Sequence, residues 1–164
     1  MAELPTSHAF LHGYGEILWH RDADLAGRSR IPDLDGEGLS KLAAGDARAR
    51  GYLDIARARG ASVAVSAVTL TETLRGGPRD AAVHRVLARI TIVPVTAAIA
   101  RRAGELVGTS GLSGHRCAID AIVAATASGL ERPVVLLSSD PDDMNRLVEE
   151  PDRPKAQRVV VVNI

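Results

Sequence analysis

The sequence predicts an α/β fold: a three-layer α/β/α sandwich with a mainly parallel central sheet. Short β-branched runs alternate along the chain with segments of helical period, which is the pattern of a parallel sheet covered by helices on both faces. The chain has 164 residues, of which 46% are hydrophobic, and this is enough for one domain with a packed core. No apolar run approaches the roughly 20 residues of a membrane span.

The first half of the predicted domain holds three strands and four helices. Ile31–Asp35 is a weak strand, because Pro32 interrupts it. Ser62–Ser66 is β-branched, and the helix after it ends at residues 76–78, Gly-Gly-Pro, which break helices. Apolar residues at helical spacing mark the other helices. The helices are predicted at Gly36–Ala44, Asp46–Arg59, Thr69–Arg75 and Arg79–Ile90, and the third strand at Thr91–Val95.

The second half begins with a helix that Thr96 caps. Residues 108–114, rich in Gly and Ser, are predicted to form a loop. The helix Cys117–Ser128 is apolar almost all round. Two strands of the buried type, Pro133–Leu137 and Arg158–Val162, flank a helix at Pro141–Glu150.

Residues 1–30 are predicted to form an N-terminal extension, loosely packed or added to the domain of residues 31–164. They hold three of the four aromatic residues and three of the five histidines, without a sustained period. A short strand at Glu16–His20 fits this segment. His8 and His12 have the spacing of a helical zinc site, but without a third ligand we interpret them as a solvated pair.

Composition excludes several functions. Cys117 is the only cysteine, which excludes an internal disulfide and a cysteine-cluster metal site. The formal net charge is zero, whereas proteins that bind long nucleic acids by charge alone are basic. Arginine outnumbers lysine strongly, which we attribute to codon usage in a GC-rich genome. With no secretory signal at the start, we expect a soluble cytoplasmic protein.

Two acidic residues, Asp120 and Asp140, are candidates for a ligand-binding site. The first is hard to explain as a surface residue, and the second lies where a ligand is expected. Asp120 lies in a helix with almost no polar face, and a buried carboxylate must be paired, protonated or bound to a cation. An ion pair with Arg116, one turn earlier, is the alternative. Asp140 follows the strand Pro133–Leu137 and therefore lies at the carboxyl edge of the sheet, although an N-cap before Pro141 explains it equally well.

Glu72 and Asp35 are weaker signals alone. Glu72 comes soon after the second strand, and Asp35 ends the first, where a solvated glutamate and a turn-forming aspartate are ordinary. Together with Asp120 and Asp140 they fall at one edge of a parallel sheet, where ligands bind. Converging carboxylates repel each other unless cations hold them, and oxygen ligands suit Mg²⁺ or Mn²⁺. Such ions support phosphodiester cleavage.

Four segments resemble, in this order, the motifs of PIN-domain proteins: residues 34–39, 68–72, 118–127 and 138–143. Residues 31–164 as a whole resemble the VapC-like toxins of bacterial toxin–antitoxin pairs. The resemblance implies a Mg²⁺-dependent (or Mn²⁺-dependent) endoribonuclease that forms a homodimer and is held inactive by a small cognate antitoxin. It assigns a catalytic quartet, Asp35, Glu72, Asp120 and Asp140. Metal ligation would fall to Asp35, Asp120 and Asp140 with Asp143 as an auxiliary acid, and Ser139 would supply a hydroxyl to the substrate.

The start of the domain departs from this pattern. The strand before Asp35 should be a run of apolar residues, yet it contains Pro32 and two arginines nearby. Asp33 is an alternative first acid, and a strand at Glu16–Trp19 would instead lead to Asp22 or Asp24. His115 and Arg116 precede the Asp120 helix and are either RNA-phosphate contacts or ordinary loop residues.

Two other functions compete. Asp33 and Asp35 resemble the opening motif of haloacid-dehalogenase-type phosphatases, in which the first aspartate is a covalent nucleophile. That chemistry needs a lysine near the phosphoryl group, and Lys41 and Lys155 are poorly placed for it. A PIN-like domain that binds a partner without cutting RNA is the second alternative, and metal dependence separates it from the nuclease.

Overall fold

The computed structural model describes residues 31–164. Five parallel strands form one sheet in the order β3-β2-β1-β4-β5. The strands are β1 (Ile31–Leu34), β2 (Ala64–Ser66), β3 (Thr91–Val93), β4 (Val134–Ser138) and β5 (Val160–Asn163). The predicted fold class is confirmed, and the sheet is wholly parallel.

Seven α-helices connect and cover these strands. They are α1 (Gly36–Ala44), α2 (Ala47–Ala58), α3 (Leu70–Thr73), α4 (Ala81–Leu87), α5 (Ala97–Ser110), α6 (Ala118–Gly129) and α7 (Pro141–Leu147). Short polar side chains fix where several of them begin. The Asp46 carboxylate accepts the N–H groups of Arg48 and Ala49, and Thr96 accepts the N–H of Ile99 at 3.2 Å.

Two apolar cores hold the layers together. Side chains of α1, α2 and α4, such as Leu39 and Tyr52, pack on one face of the sheet. Side chains of α5, α6 and α7, such as Leu106 and Val123, pack on the other. Alternate residues of β4 divide between the cores, since Leu136 belongs to the second and Leu137 to the first. The sheet is therefore the middle layer of a sandwich.

Pro32 lies in the central strand, where the sequence rule disfavours it. β1 pairs with β4 along its whole length, but its pairing with β2 involves only Asp33 and Leu34. The missing N–H of Pro32 thus falls before the β1–β2 ladder begins, which explains why the strand tolerates it.

Several boundary predictions are wrong. The helix predicted at Arg79–Ile90 is Ala81–Leu87, and the strand predicted at Thr91–Val95 ends at Val93. Residues 108–110 belong to α5 rather than to a loop, and the helix ends only where Gly111 adopts the left-handed conformation at φ 69°. The helix predicted at Pro141–Glu150 ends at Leu147. None of the helices in residues 31–164 has the length and apolar character that a membrane span needs.

The interpretations that concern residues 1–30 lie outside the described residues. They are the extension itself, the His8 and His12 pair, the strand at Glu16–His20, and Asp22 or Asp24 as first acids.

Candidate active site

The strand order reverses between β1 and β4. From β1 the chain proceeds outward to β2 and β3, whereas β4 and β5 lie on the other side. Ligands of open α/β sheets bind outside the carboxyl ends of the strands at such a point. Here the structure has a cleft of about 250 Å³. It is lined by Asp35, Gly36, Glu37, Ser40, Glu72, Asp120, Ser139 and Asp140.

Asp35 follows β1 directly and is the N-cap of α1. Its Oδ1 accepts the N–H of Gly38 at 2.7 Å, and its Oδ2 accepts the N–H of Ser139 at 3.2 Å. The backbone N–H of Asp35 donates to the carbonyl of Leu137 at 3.2 Å. These bonds tie the ends of β1 and β4 together, so the carboxylate has one fixed orientation.

Glu72 lies in α3, which follows β2 through a 3₁₀ turn at Ala67–Thr69. Its carboxylate lies directly over the backbone of Gly36, so closely that a Cβ at that position would collide with Glu72 Oε2. The absence of a side chain at residue 36 is therefore what allows Glu72 to reach the cleft beside Asp35.

Asp120 lies in the first turn of α6 and is half-buried. The rest of α6 supplies core residues, among them Val123 and Ala124. In the described part of the chain Asp120 makes no ion pair with Arg116, whose side chain is exposed. The surface ion pair that would explain Asp120 without a ligand is thus not found.

Asp140 follows β4 and caps α7, where its Oδ1 accepts the N–H of Asp143 at 3.4 Å. Its own N–H donates to the hydroxyl of Ser138 at 3.0 Å. Asp143 does not line the cleft; it contacts Cys117, whose Sγ lies 3.9 Å from Oδ2, and Arg146, whose Nη1 lies 3.9 Å from Oδ1. Asp140 therefore caps α7 and also lines the cleft.

The acidic side chains influence one another. Burial raises the pKa of Asp120, and the charges of Asp35, Asp140 and Asp143 raise it further. Burial also raises the pKa of Glu72, and so do Asp120 and Asp35, while Arg75 opposes them. The four segments that carry these acids therefore meet closely enough for electrostatic repulsion, which a cation would relieve.

The donor set suits a hard divalent cation, because it consists of carboxylate and hydroxyl oxygens. Within residues 31–164, no three His, Cys, Asp or Glu side chains come close enough to surround one metal ion. Mg²⁺ commonly keeps several waters and uses only one or two carboxylates, so the open cleft fits such an ion better than a closed protein cage.

The PIN-domain family profile matches residues 34–149, which is most of the chain. The chain belongs to the PIN-domain family. No curated protein matches it in sequence.

Solved structures with a similar fold, all less than 25% identical, include a toxin–antitoxin complex and two further proteins. VapBC2 from Rickettsia felis, bound to a promoter DNA fragment, is 15% identical with a TM-score of 0.57, over 82% of this chain and 98% of that one. A Klebsiella pneumoniae toxin–antitoxin complex is 24% identical, with a TM-score of 0.53 over 68% and 88%. FitAcB from Neisseria gonorrhoeae is 20% identical, with a TM-score of 0.53 over 80% and 96%.

The two candidates for the first acid, Asp33 and Asp35, differ in their exposure. Asp33 lies on β1 and is 0% exposed, so no substrate reaches it, whereas Asp35 lines the cleft. Asp33 Oδ1 accepts the N–H of Leu34, its Oδ2 has no partner within residues 31–164, and burial raises its pKa well above the ordinary value. A phosphatase that uses Asp33 as its nucleophile is excluded by this burial.

Sequence reasoning missed part of this PIN-domain site. Gly36, which lies beneath Glu72, falls in the motif segment 34–39, but the sequence assigned it no role in the site. Glu37 and Ser40 also line the cleft, one and four residues after Gly36. Glu37 Oε1 lies 3.8 Å from Lys41 Nζ. The signal that could have found Ser40 is its position one turn after Gly36, on the same helix face.

Proposed function

We propose that this PIN-domain protein is a divalent-metal-dependent endoribonuclease. The observation that carries the proposal is that four acids from separate segments, Asp35, Glu72, Asp120 and Asp140, line one cleft at the switch point of the sheet. Their mutual repulsion costs free energy in the folded protein, which is the expected signature of a functional site rather than of a structural one.

We assign a role to each acidic residue of the cleft from its surroundings. Asp35, Asp120 and Asp140 would hold Mg²⁺ or Mn²⁺ partly through bound waters, with Asp143 behind them. Such an ion, when bound, activates water and offsets charge on a phosphodiester. Asp35 and Asp140 are oriented by backbone N–H groups, so their positions are set before any ligand arrives. Glu72 faces the same space and can accept a hydrogen bond from the attacking water.

We assign two residues to the RNA. Ser139 lines the cleft next to Asp140, where its hydroxyl can donate to a phosphate oxygen. Arg116 is exposed just before α6, and its guanidinium suits a phosphate contact. Because the proposed substrate is cellular RNA, we expect the protein to act in the cytoplasm.

We further propose that the protein is the toxin of a bacterial type II toxin–antitoxin pair and binds a cognate antitoxin protein. The likeness of its fold to toxins in toxin–antitoxin complexes supports this. A homodimer is part of the proposal, and exposed apolar side chains at the β3 edge support it, since Ile92 is 41% and Val95 38% exposed. Sedimentation of the wild type and of Ile92→Glu tests the dimer.

The experiment that tests the nuclease is cleavage of a mixed RNA substrate by the full chain with Mg²⁺, with Mn²⁺ or with EDTA. Asp120→Asn is the inactive variant, and Asp152→Asn, an exposed acid outside the cleft, is its matched control. We expect cleavage by the wild type and by Asp152→Asn only when metal is present, and a loss of about 10³-fold or more in Asp120→Asn.

Calorimetric titration of Mg²⁺ and Mn²⁺ into the same preparations completes the test. Full activity in Asp120→Asn, or cleavage that persists in EDTA, contradicts the proposal. Neither cleavage nor metal binding by the wild type would instead favour a PIN domain that binds a partner without cutting RNA.

A further inference from the structure

The loop that joins α3 to α4, residues 74–80, borders the cleft on the side of Glu72. It begins two residues after Glu72 and carries an exposed arginine, Arg75. Burial raises the pKa of the Glu72 carboxyl, and the charge of Arg75 lies close enough to oppose that rise. Arg75 does not line the cleft itself. Its positive charge therefore lies just outside the acidic cleft.

A buried carboxylate holds this loop in place. Asp80 is 5% exposed, and its Oδ2 accepts the N–H of Arg75 at 3.0 Å and the N–H of Gly76 at 2.7 Å. The N–H of Asp80 donates in turn to the carbonyl of Gly77 at 3.1 Å. Burying a carboxylate costs free energy unless hydrogen bonds satisfy it, and here those bonds go to the backbone of an exposed loop. The backbone at Arg75 is therefore fixed although its side chain faces solvent.

The guanidinium group of Arg75 is also oriented. Its Nη1 donates to the carbonyl of Leu74 at 2.9 Å and to the carbonyl of Thr71 at 3.3 Å. Within residues 31–164, no hydrogen bond uses its Nε or Nη2, and it makes no ion pair with Glu72 or with another carboxylate. Nε and Nη2 form one edge of the guanidinium, with parallel N–H donors that match two oxygens of a phosphate.

The backbone next to Arg75 leaves room for a ligand. A Cβ at Gly76 or at Gly77 would meet no atom of the described chain within 4 Å. Their φ angles, 76° and 133°, also disfavour any residue with a side chain. A nucleotide could thus approach the guanidinium without meeting a side chain from these two positions.

We propose that Arg75 binds a phosphate of the RNA next to the one that is cut, through its Nε and Nη2 edge, and that Asp80 is the residue that positions it. The inference rests on the proposed nuclease function, because it names a further contact of the same substrate. The phosphate that is cut belongs in the cleft, and Arg75 lies outside it, so Arg75 meets a neighbouring phosphate. Such a contact fixes the position of the strand without reading its sequence.

The alternative role for Arg75 is purely structural. Its guanidinium binds two carbonyl groups at the end of α3, and cations favour that end of a helix. A residue with this role alone affects the stability of the protein but not the salt dependence of RNA binding. Neutralisation of a phosphate, in contrast, releases counter-ions, so each such contact steepens the salt dependence by a fixed amount.

The test measures RNA binding by the full chain in the Asp120→Asn background, which does not cut. Fluorescence anisotropy of a labelled single-stranded RNA of about 12 nucleotides gives Kd between about 50 and 200 mM salt at constant Mg²⁺. We expect a further Arg75→Gln change to weaken binding about fivefold and to lower the slope of log K against log salt by about 0.7. Arg75→Lys should keep the slope and lose less affinity, because it keeps the charge but not the paired donors.

The matched control is Arg101→Gln in the same background, which removes an exposed arginine of α5, on the other side of the sheet. Its affinity and slope should equal those of Asp120→Asn. An unchanged slope in Arg75→Gln, or an equal fall in Arg101→Gln, overturns the contact and leaves the nuclease proposal intact. No binding of RNA to Asp120→Asn, together with no cleavage by the wild type, overturns the proposed function and the contact with it.

Asp80→Ala tests the positioning role separately. We expect it to weaken RNA binding about threefold with an unchanged salt slope, because Arg75 keeps its charge but loses its fixed backbone. Circular dichroism confirms that this variant is folded. Affinity equal to that of Asp120→Asn alone contradicts the role of Asp80.

Discussion

The cleft and a groove of about 350 Å³ between α2 and α4 lie near opposite ends of α1 and are built in opposite ways. In the cleft, short acidic side chains converge, and backbone N–H groups fix two of them in place. In the groove, long basic side chains stand apart on two helices around an apolar floor. The cleft thus concentrates negative charge on short, fixed side chains, whereas the groove spreads positive charge over long, exposed ones.

The comparison shows how little the net charge says about binding. The 20 basic and 20 acidic residues cancel over the whole chain, yet the two surfaces carry unbalanced charge of opposite sign. Each surface is therefore incomplete without a ligand of the other sign. Variants that change one surface and spare the other should separate their functions.

After Asp120→Asn, the largest expected effect on cleavage comes from removing the charge of Glu72. Glu72→Gln keeps the shape of the side chain but loses its negative charge, and we expect cleavage to fall about 10²-fold, as when a general base is lost. Glu37→Gln is the control, since Glu37 lies at the rim of the same cleft and pairs with Lys41. Rates with a fixed RNA at saturating Mg²⁺ measure both. Equal losses in the two variants would mean that the total charge of the cleft matters rather than the position of Glu72.

A smaller effect should follow from displacing Glu72 without changing it. In Gly36→Ala the new Cβ collides with the Glu72 carboxylate, so we expect about a tenfold loss of cleavage. Stability should change little, because alanine favours the helix by about 1 kcal/mol and offsets the strain. Gly104→Ala is the control, because a Cβ there meets open space. Urea unfolding and RNA cleavage are measured on both, and unchanged cleavage in Gly36→Ala would contradict the contact.

The smallest effect concerns the stability of the cleft without metal. Because the folded protein raises the pKa of Asp120, its charged form costs free energy above that pKa, and the cost disappears below about pH 4, the pKa in the unfolded chain. Asp120→Asn should therefore raise the free energy of unfolding at pH 7 in EDTA, by less than about 1 kcal/mol because solvent screens a half-exposed carboxylate. The gain should shrink as the pH falls.

Urea unfolding between pH 3.5 and 8 checks this dependence, with Asp152→Asn as the exposed control. A gain that is independent of pH would indicate a packing effect of the amide. In the groove, the same measurement on Arg57→Glu should show no gain that depends on the protonation of the cleft acids.

The fold could be predicted where local signals agree. The bounds of α1 are the predicted ones, because Asp35 caps its start and Gly45 adopts the left-handed conformation at its end. The loop predicted at residues 108–114 begins three residues later, because Gly108 lies on an exposed face of α5 and does not interrupt the helix. The strand that contains Pro32 was predicted to be weak, because the sequence does not show which strands pair with it. Its pairing places the proline before the start of the β1–β2 ladder.

For the site, the sequence gives candidates but not orientation. Asp33 and Asp35 are two residues apart at the end of one strand, and only the structure shows that the first is buried while the second caps a helix. The groove between α2 and α4 could not be predicted, because the arginines of the two helices are separated by nearly thirty residues and meet only through packing on α1. Whether Asp35, Glu72, Asp120 and Asp140 act as a catalytic quartet stays a prediction.

Two of the cleft acids also begin helices, and this affects how variants behave inside a cell. Replacing Asp35 or Asp140 by alanine removes an N-cap, which costs about 1 kcal/mol. A loss of this size increases the unfolded fraction several-fold and exposes the chain to proteases. Such variants should therefore be scarce as well as inactive, whereas Glu72→Gln, which removes no cap, should accumulate to normal abundance. Levels of the protein in living cells thus distinguish acids that build the fold from those that only serve its chemistry.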